Sequence, residues 1–167
     1  MLKAFSLASL LTFAAFSPSF AQVERLGSPT SPILQAAVVP AGTDIMYVSG
    51  IVPPPLNPQP AGAPPVAPIF GDTKTQTINV LNRIGEILKT KGLSHADVFM
   101  MRVVLVGDPS KGGAMDFAGM MEGYRMFYGT PEQPNKTARI TTQISALVQP
   151  GMLVEIEVQA AFPKKTP

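Results

Sequence analysis

Cysteine is absent from the 167 residues, and histidine occurs once, at His95. That count excludes thiolate nucleophiles, a disulfide framework and the His/Cys sets that hold zinc or iron. Charge is scarce as well. Only 14% of residues are Asp, Glu, Lys or Arg, the net charge is +2 with one unit from Lys3, and no basic run occurs. The broad cationic surface that drives nucleic-acid binding through counterion release is therefore missing, and nucleic acid is not an expected partner. The chain also lacks a Gly-x-Gly-x-x-Gly after a strand, a Walker-type Gly-Lys-Ser and a Gly-x-Ser-x-Gly elbow. Cofactor-driven chemistry loses its usual signatures, and no cofactor is expected. What remains for chemistry is Arg, Lys, carboxylates, hydroxyls and backbone groups.

A long hydrophobic run is missing too. Phe5 to Phe16 is apolar behind Lys3 and gives way to small residues at Ser19 and Ala21. It is shorter than the roughly 20 residues that cross a bilayer. Residues 1–21 read as a signal peptide cleaved before Gln22, which leaves residues 22–167 as one exported, periplasmic domain free of the membrane.

Within that domain, Leu34 to Val39 and Ile45 to Gly50 flank the turn residues Pro40 to Asp44 and predict a hairpin. Eight prolines between Val52 and Pro68 forbid helix and central strand, so residues 52–68 form a surface loop of partly polyproline character. A proline-ligand role for it is the sharper alternative. Asp72 opens a helix with Ile78, Leu81, Ile84, Ile87 and Leu88 on one face, closed by Gly92. Val98 to Val106 reads as a buried strand, and Asp116 to Tyr128 as a second helix with a stripe through Phe117, Met120, Met121 and Tyr124. Such a stripe is core more often than ligand box. Two last strands, Ala138 to Leu147 and Leu153 to Ala161, flank Gln149-Pro150-Gly151. In the final one Val154, Ile156 and Val158 alternate with Glu155, Glu157 and Gln159.

The order β-β-α-β-α-β-β implies an α+β sandwich, with two helices on one face of a mixed sheet. Its other face is left for a second copy of the chain. His95 reads as a solvated loop residue, and Arg102 as a structural residue that snorkels or pairs with a carboxylate. Arg139, in Lys-Thr-Ala-Arg-Ile-Thr-Thr, stands at the mouth of a strand among hydroxyls. It can clamp a carboxylate through two parallel charge-assisted bonds, with Glu155 orienting or deprotonating a water. Spacing alone also allows two unrelated surface charges.

Several segments taken together resemble the RidA (YjgF-type) imine deaminases: Ile33-Leu34-Gln35-Ala36, Met46-Tyr47-Val48-Ser49-Gly50, Asp116-Phe117-Ala118 with Tyr124 and Phe127, Thr137-Ala138-Arg139, and Gly151 through Glu157. The resemblance implies a chorismate-mutase-like homotrimer with ligand clefts between subunits. It implies hydrolysis of small 2-imino acids or enamines to 2-keto acids and ammonium, without metal or organic cofactor. It also assigns the substrate carboxylate to Arg139, the water to Glu155, and a place near the substrate nitrogen to Gly50. The sequence departs from the family pattern at Ile33, where an aromatic hydroxyl is common, at Ile51 and Met121 in place of amides, and at Thr141 in place of a frequent Cys. These departures make the expected cleft more apolar. An imine deaminase and a non-catalytic trimer that binds small carboxylates are the two readings that follow.

Overall fold

The computed structural model describes residues 22–163. The signal-peptide reading of residues 1–21 lies outside the described residues. Six strands and two helices follow in the order β1 Glu24–Leu26, β2 Ala36–Val38, β3 Ile45–Ile51, α1 Thr73–Lys89, β4 Val98–Val106, α2 Phe117–Tyr124, β5 Ala138–Ile144 and β6 Val154–Ala161. β1 and β2 form a small antiparallel ribbon, and the other four make a mixed sheet in the order β3-β6-β4-β5. Within it β4 runs parallel to β5 and antiparallel to β6. The architecture is the expected α+β one.

Alternation in β6 fixes the two faces of the sheet. Val154, Ile156, Val158 and Ala160 are buried with Met101, Val103 and Leu105 of β4, and Val80, Leu81, Ile84 and Leu88 of α1 close over them. Met120, Met121 and Tyr124 of α2 join the same core, so both helices cover one face. The opposite face is bare. Tyr47, opposite Gln159 in register, is 71% exposed, and Ile140 on β5 is also exposed.

Three local expectations are corrected. The hairpin does not form: β2 pairs with β1, a strand missed in the sequence, while β3 pairs with β6. The turn chemistry is present, with Gly42 at φ 73 and Thr43 N–H bonded to the Pro40 carbonyl. Pro40 offers no N–H to extend β2, however, and the seven-residue β3 finds a longer ladder in β6. The second helix ends at Tyr124 rather than Tyr128, because Met126 and Phe127 donate to carbonyls only three residues back and tighten the last turn. His95 is not solvated. Its Nδ1 lies 2.9 Å from the Tyr128 hydroxyl, and its ring packs against Phe127 at 5.1 Å.

Burial lowers the His95 pKa. The folded state then binds fewer protons here than the unfolded chain, so this contribution to stability is complete above the unfolded value and is lost as pH falls through the folded one. Between about pH 7.5 and about pH 5 the denaturation midpoint should drop in the wild type and drop less in His95→Gln. Equal slopes in the two proteins would contradict this.

One buried amide joins α1 to the start of β6. Gln76 donates to the carbonyls of Gly71 and Gly151, both at 2.9 Å, and accepts from Leu153 N–H at 2.7 Å. Truncation strands three backbone groups away from water. Gln76→Ala should cost about 2–4 kcal/mol in urea titrations, whereas a loss under about 0.5 kcal/mol would mean that the strand entry is held by other contacts.

Candidate functional site

Parallel pairing of β4 with β5 sets Met101 opposite Arg139 and Val103 opposite Thr141. Cross-strand partners share a face, so Arg139 and Thr141 point to the helix side. There α2 supplies the surroundings. One Arg139 Nη donates to Met121 Sδ at 3.1 Å, the other faces Met120 Sδ at 3.8 Å, and the guanidinium stands 4.7 Å from the centre of the Tyr124 ring and 5.8 Å from that of Phe117. No carboxylate lies within 4 Å of it among the described residues. Burial lowers the Arg139 pKa, Tyr124 acts against that shift, and Arg125 adds to it. The group keeps its charge at neutral pH, since a guanidinium starts far above neutrality. It is a half-buried cation whose acceptors are thioethers and ring faces, weak partners beside a carboxylate. An anion that displaced the thioethers would meet two parallel N–H donors.

Thr141 lies two residues along the same face, and its Oγ1 is buried with no hydrogen-bond partner. Ile33 reaches this side through a parallel bridge between Leu34 and Ala138, with Leu34 N–H donating to the Thr137 carbonyl at 2.9 Å. Two cations that sequence reasoning missed hold this segment down. Lys136 Nζ donates to the Pro29 and Ser31 carbonyls at 2.7 and 2.6 Å, and Arg25 donates to the carbonyls of Ala96, Val98 and Lys136.

Glu155 sits elsewhere. Opposite Val104 in register, it occupies the bare face of the sheet with Gly50, Arg102, Val104 and Glu157, around a hollow of about 160 Å³. A Cβ added at Gly50 would run into the Glu155 carboxylate, so glycine is required for the acid to lie along β3. Glu157 is 3.3 Å from Arg102, the pairing open to Arg102 in the sequence. Glu155 is in no ion pair among the described residues.

The candidate residues thus fall into two groups. Arg139, Met121, Thr141 and Ile33 share the helix side, whereas Gly50 and Glu155 share the open side. One chain does not bring Arg139 and Glu155 together. Phe117, Met120 and Tyr124 complete the first group; the sequence shows them as a core stripe, and only the strand arginine beneath places a cation against them.

The family model described as Endoribonuclease L-PSP matches residues 35–162, which takes in every strand of the main sheet and both helices. The chain belongs to this family, the RidA/YjgF type. A RutC family protein of Pyrococcus horikoshii is 31% identical over 137 residues, covering 82% of this chain and 92% of its own. One from Sulfurisphaera tokodaii is 30% identical over 135 residues, covering 81% and 91%. Among solved structures, Escherichia coli TdcF with bound serine matches at 26% identity and a TM-score of 0.53, over 84% of this chain and 98% of that one. The Rid-family protein YyfB of Yersinia pestis shares the fold at 23% identity and a TM-score of 0.62, over 84% and 98%.

Proposed function

We propose that this RidA-type chain is a cofactor-independent imine/enamine deaminase, an exported homotrimer acting on small 2-imino acids. The observation that carries the reading is Arg139, a half-buried guanidinium with no carboxylate partner among the described residues, whose two Nη groups meet thioether sulfurs that an anion outcompetes. A substrate carboxylate bound there holds the adjoining iminium carbon in place. Water adds to that carbon while Glu155 takes its proton. Glu155 returns that proton to the carbinolamine nitrogen, the C–N bond breaks as the hydroxyl proton passes through the same carboxylate to the departing ammonia, and the 2-keto acid and ammonium leave with Glu155 ionised again. Atoms and charge balance with water as the sole co-reactant. The electrophile is already activated, so positioning and one general base suffice.

Because Arg139 and Glu155 occupy opposite faces of one sheet, the reading requires Glu155 from a second copy. The bare sheet face with exposed Tyr47 and Ile140 supports that assembly, with clefts between subunits. TdcF, a relative with bound serine, supports a small carboxylate as ligand. Export rests on the sequence of residues 1–21. Among the described residues no helix is long and apolar enough to cross a membrane. Nucleic acid stands outside the reading on grounds of charge.

The apolar wall at Met121 and Ile33 favours one other reading, a trimer that binds small keto acids without turning imines over. Generating 2-iminopropanoate with an amino-acid oxidase and following its decay separates the two. Faster decay with the purified chain supports the deaminase. Stabilisation by pyruvate in thermal shift without faster decay supports the binder.

A further inference from the structure

The deaminase reading leaves open which 2-imino acids the site takes, and the wall beside Arg139 bears on that choice. Once a carboxylate is held by the guanidinium, the substituent on the adjoining carbon must lie against α2. Met121 is 4% exposed there and presents its sulfur, and Phe117, 44% exposed, leaves a ring face in water next to the cation. Two of the polar side chains along this wall are already engaged. The Tyr124 hydroxyl is with Thr137 Oγ1 at 3.3 Å, and Gln143 bonds Met115 N–H and the Gly113 carbonyl at 2.9 and 3.0 Å. Thr141 Oγ1 alone is unpartnered, too few groups to satisfy both a reacting centre and a polar substituent.

We propose that Phe117 and Met121 select 2-imino acids with bulky apolar side chains, branched aliphatic, thioether or aromatic, over short or polar ones. An apolar substituent covers the Phe117 ring and removes both surfaces from water. A hydroxyl placed against Phe117 and Met121 loses hydration that a ring face and a thioether do not replace, which costs more than a missing methylene. This inference rests on the deaminase reading for its substrate, but its physical content is selective binding.

The test compares kcat/KM for imines made by an amino-acid oxidase from leucine, alanine and glutamate. The leucine-derived imine should exceed the alanine-derived one by about tenfold or more, and the glutamate-derived one should also fall below it. Phe117→Ala, at an exposed position that the fold does not need, should cut the leucine-to-alanine ratio by about fivefold or more. Met121→Asn should cut it as well. A wild-type ratio at or below one, or a ratio unmoved by Phe117→Ala, overturns the proposal. Calorimetry with 4-methyl-2-oxopentanoate and pyruvate reads the same preference without turnover. Tighter binding of the larger keto acid in a protein that hydrolyses no imine would sustain the selectivity and sink the deaminase. Turnover without preference would do the reverse.

Discussion

Arg139→Ala should lower kcat/KM for 2-imino acids by roughly two to three orders of magnitude, the equivalent of about 3–4 kcal/mol for a two-bond anion clamp at a half-buried site. The size follows from the surroundings. Thioethers and aromatic rings neither neutralise the guanidinium nor compete for its N–H groups as a carboxylate would, so little must be broken before substrate binds. Arg139→Lys should recover only part of the loss, because an ammonium is a single point charge and lacks the planar fork. Pyruvate affinity, measured by calorimetry, should fall in parallel with kcat/KM. If Arg139→Ala left both unchanged, the anion would be held elsewhere and the proposed site would be wrong.

How far the sequence reached depended on whether the deciding interaction was local. Asp72 capping α1, with its side chain accepting from Thr75 N–H at 2.8 Å, was legible because a cap involves neighbours three residues apart. Strand β4 matched its expected span Val98–Val106, and Glu155 could be placed off the core from the two-residue period of β6. The partners of β2 and β3 could not be read. Turn residues between them favour a hairpin locally, while the longer ladder offered by β6, more than a hundred residues away, decides the pairing. The same limit hid the geometry of the site. That Arg139 and Glu155 point to opposite faces depends on the parallel register of β4 with β5 and the antiparallel register of β4 with β6. His95 was misjudged for a like reason, since its partner Tyr128 lies beyond the end of α2. The roles proposed for Arg139 and Glu155 rest on the family resemblance, since spacing could not separate the two from stray surface charges.

Glu155→Gln should lower kcat by roughly two to three orders of magnitude while pyruvate affinity stays within about threefold, because the amide keeps the shape and loses the base. Gly50→Ala should resemble it, since the added methyl displaces the carboxylate from its place along β3. Glu157→Gln should have a small effect, as that acid is spent on Arg102. The decisive form of the experiment mixes two dead proteins. If each cleft takes Arg139 from one copy and Glu155 from the next, a trimer assembled from Arg139→Ala and Glu155→Gln chains contains one cleft with both wild-type groups. Random assembly from equal amounts puts three quarters of the trimers in that mixed class, so co-refolded protein should regain about a quarter of wild-type activity. The two variants mixed without subunit exchange should remain inactive. Co-assembly confirmed by mass, yet with no recovered activity, would mean that the two residues do not meet across a subunit boundary. With Arg139 and Glu155 on opposite faces of the same sheet, that outcome would leave no geometry in which they share a substrate.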